Sequence, residues 1–194
     1  MNLRQLIPVA IMFSVAAFAQ NPVSADSPFQ VKYAANLNVG DSVFNISNSG
    51  ASGGNICVSV YTFSPDEQEI SCCSCTVTPN ALVSLSAKTD LISNTLTPAV
   101  PNSIVIKILA TTGASCNAST PGTQTSGLAA WGTTLHATPT AGAFALTETP
   151  FTPATLSAAE LAKISSFCGF IQANGSGFGI CRSCRLGGQG ADKQ

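Results

Sequence analysis

The sequence predicts a mainly β fold: a β-sandwich of Ig-like or related type, stabilised by disulfides and carrying one C-terminal α-helix. Three observations predict it. Six to eight short runs rich in β-branched and aromatic residues lie between clusters of turn formers. The chain has 8 cysteines. The apolar period changes from two residues to the helical period only in the last quarter.

Taken in order, "FQVKYA" (29–34) and "SVFNIS" (42–47) alternate apolar and polar residues, as half-buried strands do. "NSGASGG" (48–54) is a turn. "ICVSVYTF" (56–63) and "ISCCSCTV" (70–77) flank "SPDEQE" and predict a hairpin with a six-residue loop. "ALVSLSA" (81–87) follows a turn at "TPN". The stretch "SIVIKILATT" (103–112) has the highest density of β-branched residues, which places it in the middle of its sheet. Residues 113–127 form a long polar loop with Cys116 as a candidate tether. "LAAWGTTLHAT" and "AGAFALTET" give two further strands.

The helix is expected over about 158–173. Ser157 and Glu160 have capping-box spacing, and Leu156 and Leu161 stand where a hydrophobic staple would. Leu161, Ile164, Cys168 and Ile171 fall on one helical face, and Asn174-Gly175 supplies the stop. The helix is expected to cover one side or an open end of the β-structure. The tail "GSGFGICRSCRLGGQGADKQ" is too rich in glycine for regular structure, yet it holds Cys181 and Cys184.

Residues 1–19 read as a secretory signal peptide. Arg4 supplies a positive start, Leu6 to Phe18 is almost wholly apolar, and Ala17 and Ala19 are the small residues of a cleavage site. A second cleavage site would follow Ala25. The apolar run falls short of the roughly 20 residues that anchor a helix in a bilayer, and no later segment could span one. Residues 20–194 are expected to form a single domain that is secreted, to the periplasm or the cell exterior, with no transmembrane anchor in the mature chain. Only 9% of residues are charged. There is no basic patch, so nucleic acid is excluded as a partner.

All the cysteines follow the signal segment: Cys57, Cys72, Cys73, Cys75, Cys116, Cys168, Cys181 and Cys184. An even count in an exported chain reads as a disulfide framework. Side chains alternate along a strand, so Cys73 and Cys75 share one face and Cys72 has the other. Neighbouring strand positions do not bring their sulfurs together. If these three bond elsewhere, the 105 pairings open to eight cysteines fall to 5 × 4 × 3 = 60. The strand at 72–75 is then tied to three other places, with Cys168 and the "CRSC" tail the favoured partners.

Zinc competes for the thiols, since "CSC" and "CRSC" could supply four thiolates; export and the missing second Cys-x-x-Cys oppose it. A thioredoxin-like pair at Cys181 and Cys184 would gain from Arg182 and Arg185, but this Cys-x-x-Cys follows a helix rather than opening one. Attachment of c-type haem needs a histidine at 185, where Arg stands. No metal site and no cofactor is expected.

Candidates for an active site are few. His136, the single histidine, could act as a general base, but no Gly-x-Ser-x-Gly or His-Glu-x-x-His motif accompanies it. Asp66, Glu67 and Glu69 could bind calcium or act as paired carboxylates; a solvated turn is the simpler reading. Trp131, Tyr61 and Tyr33 could form an aromatic binding patch or pack in the core. Trp131 and His136 are the candidate binding residues, and no catalytic residue is assigned. Asn45, Asn117 and Asn174 are sequons that matter only in a glycosylating host.

The blocks "YTFSPDEQEISCCSCTVTPNALVSL", "DLISNTLTPAVPNSIVIKILAT", "WGTTLHATP", "TETPFTPATLSAAELAKI" and "GFGICRSCRLGGQGA" together resemble a group of secreted, cysteine-rich bacterial proteins of acidobacterial type. The resemblance runs over nearly the whole exported chain. It implies a bacterial host and no activity, catalytic residue or ligand. The expected function is that of an exported noncatalytic structural, adhesive or surface-binding protein, with a polysaccharide, the cell envelope or further copies of itself as partner. The alternatives are a thiol–disulfide or metal-binding protein using Cys181 and Cys184, and an extracellular hydrolase using His136.

Overall fold

A computed structural model describes residues 26–92, 96, 99–112, 115–175 and 179–185. The expected signal segment with its two candidate cleavage sites, and most of "GSGFG", lie outside the described residues. Strands β1 (Phe29–Ala34), β2 (Val43–Asn48), β3 (Ile56–Phe63), β4 (Glu69–Val77), β5 (Leu82–Ser86) and β6 (Ile104–Thr112) come first. Then follow β7 (Thr123–Gln124), β8 (Leu128–Ala137), β9 (Phe144–Pro150), β10 (Thr152–Pro153), helix α1 (Ala158–Ala173), β11 (Gly179–Ile180) and the single turn α2 (Arg182–Arg185).

The strands form two sheets, in the orders β10-β1-β6-β3-β4-β11, with β7 beside β6, and β5-β2-β8-β9. All pairings are antiparallel except that of β11 with β4. The chain is therefore mainly β, a sandwich with one long C-terminal helix. Its core is built by the period-two pattern. Val58, Val60, Ile106 and Ile108 from the larger sheet meet Phe44, Ile46, Val83, Leu85 and Leu128 from the smaller. Gln30 is buried too, and its amide donates to the Leu128 carbonyl at 2.9 Å, so the two sheets are also joined by a hydrogen bond.

The strand at 104–112 lies between β1 and β3, in the interior of its sheet. Its neighbour β3 is buried at seven of eight positions, because both faces of this sheet are covered. The sandwich core lies on one side. On the other, Phe29, Tyr61, Cys72 and Leu109 pack under Ile164, Cys168 and Ile171 of α1. The helix begins where its cap predicts, with the Ser157 hydroxyl accepting from the Glu160 N–H at 3.1 Å. It ends with Gly175 in the left-handed region, at φ 73°. Leu156 and Leu161 both lean on this second cluster.

Two expectations need correcting. The C-terminal tail is not irregular throughout: Gly179–Ile180 pairs with Cys73–Ser74, and α2 follows at once. The hairpin loop is also one residue shorter than the sequence implied. Glu69 is the first residue of β4 and pairs with Phe63, so it does not belong to a solvated acidic turn with Asp66 and Glu67.

The cysteines form four disulfides: Cys57–Cys116, Cys72–Cys168, Cys73–Cys181 and Cys75–Cys184. No cysteine is free. The Cys72 bond leaves the outer face of β4 for the helix, while the other two leave its inner face for the tail. Cys57–Cys116 and the Tyr61 hydroxyl, which donates to the Ala118 carbonyl at 2.7 Å, hold the polar loop against β3. The tail turn α2 packs on β5 and on a single π-helical turn, Ala87–Leu91. No helix among the described residues is long and apolar enough to cross a membrane.

Candidate functional site

Helix α1 lies across the outer face of the larger sheet without filling the space beside the β3–β4 hairpin. A cleft of 1060 Å³ remains there, between the hairpin loop, the start of β6 and one side of the helix. The helical period sets its far wall. Ile164, Cys168 and Ile171 point into the sheet. Glu160, Lys163, Phe167 and Phe170, on the adjoining stripe, line the opening. Phe167 and Phe170 remain 49% and 61% exposed, and Tyr33, on the opposite rim, 57%. Four aromatic side chains border the cleft when Phe63 is included.

Its floor carries charge. Lys107, on β6, donates to the Glu160 carboxylate at 2.6 Å. The same ammonium stands 4.7 Å from the centre of the Phe63 ring, a cation–π contact. Glu160 is held in place by the helix start itself, since its N–H is the one that Ser157 caps. It thus reaches across to the sheet instead of back to its own cap.

Glu69 sits beneath. Both of its carboxyl oxygens are buried and neither has a hydrogen-bond partner among the described residues. Burial pushes its pKa up to about 8 against the opposing pull of Lys107, so the group is protonated at neutral pH. The sulfurs of Cys72 and Cys168 are close enough to a Glu69 oxygen that the three could be imagined around a metal ion. Those sulfurs are bonded to each other, which leaves no thiolate to donate. The arrangement suits a neutral acid lodged against a disulfide, not a metal centre.

The candidate binding residues Trp131 and His136, and the Cys181/Cys184 pair, lie elsewhere, whereas Tyr33, Glu67 and Glu69 line the cleft. Trp131 is half-buried on β8, in register with Asn45 and Pro150. His136 is exposed near the end of the same strand, with Nε2 2.7 Å from the Thr147 hydroxyl. It lines a separate groove that contains Lys32 and several threonines but, among the described residues, no carboxylate. Cys181 and Cys184 are each bonded to β4 and not to one another. Of the aromatic candidates, Tyr61 packs in the core, whereas Tyr33 is on the cleft rim. Asp66 and Glu67 are exposed in the hairpin loop.

Sequence reasoning missed Lys107, Phe63, Phe167 and Phe170. One signal was present: two phenylalanines on a helix, spaced i and i+3, outside the stripe that the buried residues define. Comparison with family models, with curated proteins and with solved structures returns no match for this chain.

Proposed function

We propose that the chain is an exported, noncatalytic surface-binding protein that holds a polysaccharide in the cleft between α1 and the β3–β4 hairpin. One observation carries this reading: Tyr33, Phe167 and Phe170 expose large ring faces around a cleft whose floor holds Lys107 and Glu160 as an ion pair. Apolar surface gathered around one cleft and rimmed by polar groups is a feature of interaction sites. The apolar face of a sugar ring stacks on such surfaces, and the surrounding polar groups can bond its hydroxyls.

Catalysis is a weaker fit. The group with the most displaced pKa is Glu69, but its oxygens are buried and no described residue hydrogen-bonds them to relay a proton. His136 has Thr147 as its hydrogen-bond partner and no acid to orient it among the described residues. Four disulfides accord with an oxidising destination, and the apolar first segment gives the route.

Isothermal titration and pull-down with a panel of neutral and acidic polysaccharides test the reading. Phe167→Ala/Phe170→Ala is expected to bind at least about ten-fold more weakly while melting at the same temperature, because both rings are exposed. Absence of binding across the panel, or binding indifferent to the double substitution, would overturn it.

A further inference from the structure

The cleft has a neighbour. Tyr33 lines it on one side and, on the other, a second groove of 570 Å³ between β1 and β9. One residue therefore borders both depressions, so a polymer lying in the first could continue past Tyr33 into the second.

The second groove differs in chemistry. Lys32 enters it from the inner face of β1 and is only 7% exposed. Its ammonium donates to the Thr149 hydroxyl at 2.6 Å and to the Thr149 carbonyl at 3.2 Å. An ammonium has three N–H groups, and the third has no acceptor among the described residues. Among the described residues no carboxylate lies within ion-pair distance either, and their ion pair is Lys107–Glu160. Glu148 contributes attraction from farther off, with its carboxylate 3.5 Å from the Asn45 amide. A largely buried cation with no carboxylate in contact is expensive to maintain. Around it stand Thr134, Thr147 and the His136 ring, all able to hydrogen-bond an oxyanion.

We propose that this groove is a subsite for a carboxylate, reached over Tyr33 from the aromatic cleft, and that the polymer bound is therefore an acidic, uronate-bearing polysaccharide. The inference rests on the polysaccharide reading of the cleft. A carboxylate fits better than a phosphate monoester because the groove supplies one ammonium, which matches one negative charge. The carboxylate supplies the acceptor that the third N–H of Lys32 lacks, while the sugar ring bearing it packs against Tyr33.

The test compares binding of the full chain to three polyuronates (polygalacturonate, alginate and hyaluronate) with binding to the same polymers after their carboxyl groups have been reduced to alcohols. At least one polyuronate is expected to bind about ten-fold or more tightly than its reduced form. Lys32→Gln is expected to abolish that difference while leaving affinity for the reduced polymer within about two-fold. Since Lys32 is buried, His136→Ala serves as a surface variant and should narrow the preference by about three-fold with no change in melting temperature. Equal affinity for native and reduced polymers, with Phe167→Ala/Phe170→Ala still weakening both, would overturn the subsite and leave the cleft reading standing. Dextran sulfate binding as tightly as the best polyuronate would overturn the assignment to a carboxylate. Failure of every polysaccharide to bind would overturn both.

Discussion

The carboxylate of Asp90 accepts from both the backbone N–H and the hydroxyl of Ser183, at 2.7 and 2.8 Å, although 93 residues separate the two. Asp90 is 5% exposed and also accepts from the Ser86 N–H at 2.9 Å. One buried side chain thus closes the π-helical turn after β5 and docks the tail turn onto it. Asp90→Ala would leave three donors without their acceptor, at a cost of about 3 kcal/mol. The expected outcome is a lower melting temperature together with faster amide exchange at Ser183 and Cys184, while β3 and β6 keep their protection. Unchanged exchange in the tail would show that the two disulfides hold it unaided.

The helix is tied to the sheet by Cys72–Cys168, which closes a loop with a sequence separation of 96. Replacing both cysteines with alanine should lower stability by about 2–5 kcal/mol. The effect should also be local. Amides of α1 are expected to exchange faster than those of β6, because the sandwich core on the far side of the sheet does not depend on the helix. Equal acceleration in both elements would mean that helix and sandwich unfold as one unit.

The extent to which this architecture could be read from the sequence follows from the range of each interaction. Alternation along β4 needs only adjacent residues, and it sets Cys72 opposite Cys73 and Cys75, the division that the disulfides use. The helix is equally local, with cap, stripe and stop all within 157–175. Which cysteine meets which depends on sequence separations of 59 to 109, and nothing local encodes that. The tail strand Gly179–Ile180 is too short for a local pattern to announce; it pairs with β4 beside the residues to which Cys181 and Cys184 are bonded. The cleft was hidden for the same reason. Lys107 comes from β6, Glu160 from the helix and Phe63 from the hairpin, and only packing brings them together. Glu69 looked solvated because its acidic neighbours are, and no pattern in the loop announces that α1 will cover it.

Gly132 offers a test of how closely the sheets pack. A Cβ at this inner position of β8 would stand 2.5 Å from Cδ1 of Phe44 and 3.0 Å from Cε of Lys32. Phe44 cannot easily move away, since its ring packs edge-on against Phe151 with centroids 6.0 Å apart. Gly132→Ala should therefore destabilise by about 2 kcal/mol. In a Phe44→Leu background the same substitution should cost clearly less, a coupling measurable by denaturant titration of the four proteins. Additive effects would mean that the strand, not the ring, absorbs the added methyl.

The buried acid in the cleft floor makes stability depend on pH in a predictable direction. The folded pKa of Glu69 is about 8, against an ordinary value of 4.5. Below pH 4.5 both folded and unfolded chains hold the proton, and above about 8 neither does. Between these values the unfolded chain has released it and the folded chain retains it, so stability falls as pH rises through that window. The slope is at most about 1.4 kcal/mol per pH unit. Lys107 opposes the trend, because an ionised Glu69 would attract it; the pair it already forms with Glu160 limits that relief. Glu69→Gln keeps the shape and removes the titration. Its melting temperature should decline less than that of the parent between pH 5 and 8, leaving the variant more stable at pH 8 by roughly 1–3 kcal/mol. Parallel curves for the two proteins would mean that Glu69 is already ionised in the folded chain. In that case the cleft floor would carry Glu69, Lys107 and Glu160 as a charged triad, not an ion pair above a neutral acid.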